Sequence, residues 1–165
     1  MTHSQRLDAP FENVCLRGKS KKIEFLSAVL AELLNNGLVG LIVIKRKSEP
    51  IGFAKYRELK VISKNGVHAY CLSKKDQIPL AVELLIKAKP WYRAGFTMIF
   101  GGSQLPSLIE KNCSLFKERS IPDLEEILGR KFNGYFFPLD NELLYYGRDS
   151  FRNIILRLIE QDFRK

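Results

Sequence analysis

Histidine and cysteine are scarce in this chain, and that scarcity sets the first limits. Two histidines, His3 and His68, and three cysteines, Cys15, Cys71 and Cys113, are spread over 165 residues. No CxxC pair occurs, and an odd number of widely spaced thiols gives no disulfide framework. With so few nitrogen and sulfur ligands a zinc site is not expected, and the cysteines read as buried or incidental thiols. No apolar run approaches the roughly 20 residues that a membrane span needs. The opening stretch, MTHSQRLDAPFENV, has no apolar h-region, so a secretory signal is not expected and the cytoplasm is the expected location. Neither GxxxxGK[ST] nor GxGxxG occurs, and there is no internal repeat.

The chain has ample material for a core and a basic charge balance. It is 45% hydrophobic and 27% charged, which suits a folded chain and one domain over residues 1–165, with 1–19 as an irregular N-terminal arm. Net charge is +9 and uneven: residues 1–119 hold 20 Lys/Arg against 10 Asp/Glu, while residues 120–165 hold 7 against 8. A basic field of this size favours an acidic partner, whether acidic protein, nucleic acid or anionic membrane.

Hydrophobic spacing predicts the elements. Ser20 is a candidate cap for a helix starting at Lys21, with Ile23, Leu26, Leu30, Leu33 and Leu34 on one face and Gly37 closing it. LVGLIVIK (38–45) reads as a buried strand, and IGFAKYREL (51–59) as its alternating hairpin partner. GVHAYCLS (66–73) is a third strand behind the Asn65-Gly66 turn. A helix follows from Pro79 to Ala88, then the strand GFTMIF (95–100), and then a helix near 104–118. Pro122 opens a short helix that Gly129 closes. A hairpin is expected over 132–138 and 142–146, and the helix 149–163 ends the chain. The strands come mostly as hairpins, so an α+β sandwich with a mostly antiparallel sheet is expected.

The local candidate for chemistry is GFTMIFGGSQLPSLIEK (95–111). Glycines let a ligand approach the backbone, and amides at a helix N-terminus favour an anion. Gly101, Gly102 and Ser103 are therefore candidate binding residues, with Thr97 as a hydroxyl that orients a substrate. His68 is the candidate base. The clusters Lys45-Arg46-Lys47 and Lys19-Lys21-Lys22, taken with Tyr56, Trp91 and Tyr92, also fit a nucleic-acid surface with stacking platforms, although no nucleic-acid motif accompanies them.

Element order and spacing resemble those of the RTX-toxin-activating lysine acyltransferases. The resemblance rests on GLIVIK after a helix, EPIGFAKYREL after a turn, KPWYRAGFTMIFGG before a helix, and the late FNGYFFPLDN segment. It implies a GNAT-like fold and transfer of an acyl group to a protein or peptide of the toxin or microcin type. The implied donor is an acidic acyl carrier protein or another activated acyl donor, and no bound cofactor is expected. Family members carry a His ahead of the first helix, where this chain has Arg17 and Lys19, which are taken as candidate substrate- or anion-binding residues. They carry an Asp where this chain has Thr97. Two further functions stay open: a non-catalytic binding subunit or immunity-type partner, possible also as a homodimer, and a basic nucleic-acid-binding domain.

Overall fold

The computed structural model describes residues 12–88, 96–129, 132–138 and 142–163. Strand β1 (Glu12–Cys15) lies within the stretch expected to be irregular. Four residues are too few for alternation to stand out, and β1 exists by pairing with a strand from the far end of the chain.

Helix α1 (Lys19–Asn35) starts after Gly18 instead of Ser20. It buries Lys22, Phe25, Leu26, Val29, Leu30 and Leu33, a stripe at helical spacing. Ile23 was expected on this stripe but faces outward. At the C-terminus Gly37 takes a φ of 81°. The Gly37 amide donates to Leu34 O and the Leu38 amide to Leu33 O, which caps the last turn and launches β2 (Val39–Lys45).

The segment expected as the hairpin partner of β2 is instead a 3-10 helix, Ala54–Leu59. Its buried residues, Phe53, Tyr56 and Leu59, recur every third residue, which is the period of a 3-10 turn and not of a strand. Ile51, counted as part of the alternation, is fully exposed. Strands β3 (Val61–Lys64) and β4 (Val67–Leu72) form the hairpin, and β4 is the strand that pairs with β2.

Helix α2 (Ile78–Lys87) follows, and then β5 (Thr97–Gly101). The helix expected over 104–118 is broken at Asn112 into α3 (Leu105–Lys111) and α4 (Cys113–Glu118). Helix α5 (Ile121–Leu128) runs from the Ser120 cap to Gly129 in the left-handed conformation, as its Pro and Gly predict. The strands β6 (Gly134–Pro138) and β7 (Glu142–Gly147) form the late hairpin, and α6 (Asp149–Leu158) follows. The residues 89–95 and 139–141, with Pro90 and the expected turn at Leu139-Asp140-Asn141, lie outside the described residues.

Among the described residues the seven strands form one antiparallel sheet in the order β1-β7-β6-β5-β2-β4-β3. One face is covered by α1, α2 and α6, with Phe25, Leu84, Phe100 and Phe151 in its core. The other is covered by α3, α4 and α5, around Ile99, Ile109, Phe116 and Leu124. The class is α+β. No described helix is long and apolar enough to cross a membrane.

Two cross-strand glycines, Gly134 and Gly147, lie directly beneath the ring of Phe151. A Cβ on either would overlap that ring. Gly147→Ala is therefore expected to destabilise the fold by about 1–3 kcal/mol through overpacking. Phe151→Ala, which empties the same place, is expected to cost about 3–5 kcal/mol. Urea unfolding of both variants checks the pair.

Candidate functional site

Strand register decides which of the expected site residues can meet. Val43 of β2 is opposite Thr97 of β5, and Ile44 is opposite His68 of β4. Neighbouring residues on a strand point to opposite faces. Val43 belongs to the core under α3–α5 and Ile44 to the core under α1, α2 and α6. Thr97 and His68 thus sit on opposite faces of the sheet with β2 between them, and they do not form one site. Thr97 is 3% exposed, and its hydroxyl donates to Phe136 O at 3.2 Å. That bond ties β5 to β6.

The Gly-Gly-Ser stretch is also less of a cradle than its sequence suggests. Gly101 is the last residue of β5, while Gly102 and Ser103 are exposed. The turn closes on itself, because the Leu105 amide donates to Gly102 O at 3.0 Å. Pro106 has no amide hydrogen, so α3 offers little at its first turn to an anion. Arg17 is exposed just ahead of Gly18. His3, Trp91 and Tyr92 lie outside the described residues.

Burial divides the basic clusters. Lys22 is buried in the α1 stripe. Lys45 is half-buried at the end of β2, where its ammonium donates to Arg119 O at 3.1 Å and burial lowers its pKa. Tyr56 is fully buried and is no stacking platform.

Lys19 belongs to a different feature, a groove of about 610 Å³ between α1 and α2 with the 3-10 helix as its floor. Ile23, Val82 and Ile86 give it apolar walls, and Lys19, Lys55 and Lys87 supply three cations. Glu83 is the one carboxylate among its lining residues. The Tyr56 hydroxyl donates to Glu83 Oε2 at 2.8 Å, and the Lys55 ammonium pairs with the same oxygen. Those two hydrogen bonds hold the Glu83 carboxyl below its ordinary range. Burial and the bond to Glu83 push the Tyr56 hydroxyl up, so it stays a neutral donor. Lys87 lies 5.7 Å from the centre of the Tyr56 ring and donates to Gly52 O at 3.2 Å. Sequence reading missed this groove because it took 51–59 for a strand. The three-residue spacing of Phe53, Tyr56 and Leu59 was the available signal.

Behind the groove, Glu49 anchors the turn that leads into the 3-10 helix. Its carboxylate accepts from Arg57 Nε at 3.1 Å, Arg57 Nη2 at 2.9 Å and the buried Tyr70 hydroxyl. Burial pushes the Glu49 carboxyl up, but the bonds from Tyr70 and Arg57 outweigh it and hold it below its ordinary value.

His68 is 5% exposed. Its Nδ1 lies 2.6 Å from Ser63 Oγ, and its Nε2 lies 3.2 Å from Arg46 O. Ser63 was not among the expected residues. The Asn65-Gly66 turn was enough to find it, since a two-residue turn places the residue before Lys64 opposite the one after Val67. Among the described residues there is no cluster of three or more His, Cys, Asp or Glu placed to hold a metal ion.

A carboxyl with a depressed folded pKa stabilises the fold above its unfolded value, and that stability is lost as pH falls through the folded value. Glu49 therefore contributes fully above its ordinary value of 4.5 and progressively less below it. Glu49→Gln removes a charge whose contribution varies with pH. Thermal melts in series are expected to show a less stable variant at neutral pH and a smaller gap to wild type in acid. A gap that stays constant from neutral pH to below pH 4 would refute this. In comparisons with known proteins, no family model, no curated protein and no solved structure matches this chain.

Proposed function

We propose that this is an acyltransferase-like protein with a GNAT-like fold that receives an acidic, acyl-bearing partner of the acyl-carrier-protein kind. It works in the cytoplasm on a protein or peptide of the toxin or microcin type. The observation that carries the reading is the groove between α1 and α2. Its volume of about 610 Å³ lies within the usual range for small-molecule sites. Apolar walls suit an acyl chain, and three lysines at its border suit the phosphate and carboxylates of the carrier.

One observation favours a second reading, a non-catalytic binding subunit on the same scaffold. Thr97 and His68 face away from each other, so the reaction centre expected from sequence is not assembled. The two readings share the docking step and differ in whether acyl transfer follows.

Ile23 is 37% exposed on the groove wall, so Ile23→Glu tests docking without emptying the core. Acylated carrier protein is expected to bind more tightly than carrier without its chain, and added salt is expected to weaken both. Ile23→Glu is expected to remove the advantage of the chain, a loss of roughly tenfold or more if the contact is worth about 1.5 kcal/mol. Calorimetry showing equal affinity for acylated and bare carrier would sink the assignment of the groove. Mass spectrometry of the carrier with a co-encoded peptide then separates the catalytic reading from the binding one.

A further inference from the structure

We propose that Ser63 is an acylatable nucleophile activated by His68, taking its acyl group from an ester or thioester presented at the open edge of the sheet. The inference stands apart from the groove and uses none of its residues.

Tautomer and register carry it. Arg46 O is an acceptor only, so the hydrogen of the neutral imidazole lies on Nε2 and points at that carbonyl. The lone pair is then on Nδ1, and the Ser63 hydroxyl, at 2.6 Å, donates to it. A hydroxyl, a base that accepts its proton, and a third group that orients the base are the parts of an activated nucleophile. His68 is buried, while Ser63 is exposed, so the base is fixed and the nucleophile accessible.

Register supplies a donor for the developing oxyanion. Directly opposed residues of an antiparallel pair alternate between hydrogen-bonded and non-hydrogen-bonded. The Cys71 amide donates to Lys60 O, which makes that pair a bonded one. Counting along the hairpin, Ile62 with Ala69 is bonded and Ser63 with His68 is not. The Ser63 amide therefore points away from β4. Strand β3 ends the order of the described sheet, so this amide faces the open edge beside its own hydroxyl. Exposed Lys60 and Lys64 stand on the other face of this strand, so they lend positive charge to the edge without touching the hydroxyl.

Ser63 Oγ bonds to the acyl carbon, its proton passes to His68 Nδ1, and the carbonyl electron pair moves onto oxygen beside the Ser63 amide. When that pair returns, the bond to the leaving oxygen or sulfur breaks. The leaving atom takes the bonding electrons and the proton from Nδ1. The products are an ester on Ser63 and a free alcohol or thiol.

The test treats the full chain with p-nitrophenyl acetate, and separately with a fluorophosphonate, and locates the adduct by peptide mass mapping. One adduct on Ser63 is expected, absent in Ser63→Ala and at least about tenfold slower to form in His68→Gln. His68 is buried, so a melt of His68→Gln accompanies the assay, and wild type labelled in urea provides a control independent of that variant. Labelling spread evenly over exposed serines overturns the proposal. So does an equal rate at Ser63 in native and urea-unfolded wild type, or in wild type and a folded His68→Gln. Either result would leave the Ser63–His68 bond as a cross-strand tie and nothing more.

Discussion

Val43 and Ile44 are adjacent in the chain, and the pleat of β2 sends them to opposite faces of the sheet. Much of the molecule follows from that alternation. Because β2 pairs with β4 on one side and β5 on the other, its register assigns every side chain of three strands to one helical layer or the other. The core under α1, α2 and α6 gathers Ile44, Tyr70 and Phe100, and the core under α3–α5 gathers Val43, Ala69 and Ile99. A slip of one residue would exchange the two sets, so burial on both faces fixes the register strongly. The same alternation divides the polar groups. Thr97 is held against Phe136 O on one side, and His68 is set beside Ser63 on the other.

The segment between β2 and β3 brings the polar chemistry of that second side together. Glu49 fixes its start to Arg57 and Tyr70, and Tyr56 joins its middle to Glu83 of α2. The 3-10 turn is thus held by two carboxylates, Glu49 through Arg57 and Glu83 through Tyr56. Phe53 stacks edge-on against both Tyr56 and Tyr70, which fills the space between the two anchors. The groove floor is rigid for this reason, whereas its lysines lie at the rim where their charge meets solvent.

Much of the fold could be read from sequence where the signal was local. Gly37, Pro122 and Gly129 mark helix ends by their own backbone chemistry, and each acts at or next to the expected position. The late hairpin and the helix after it were equally clear. Two of the misreadings are short segments whose state depends on partners elsewhere in the fold. Strand β1 exists because β7 pairs with it, and the 3-10 helix because Glu49 and Glu83 anchor it. Asn112 breaks a helix that its apolar spacing would continue, and its side chain donates to Leu108 O at the break. The site suffered in the same way. Composition pointed to His68 as a base, but its partner Ser63 became legible only through the register of the Asn65-Gly66 turn. The groove required knowing that Tyr56 belongs to a turn and not to a strand.

The pairing of Glu12 with Tyr145 has a consequence for the order of assembly. Strand β1 precedes its partner β7 by most of the described chain, so it is synthesised long before that partner. Closing so long a loop costs entropy that few local contacts offset beforehand. Strand β1 therefore waits for β7, and until the two pair, the β7 edge of the sheet lacks its neighbour. Pairing with β1 then covers that edge.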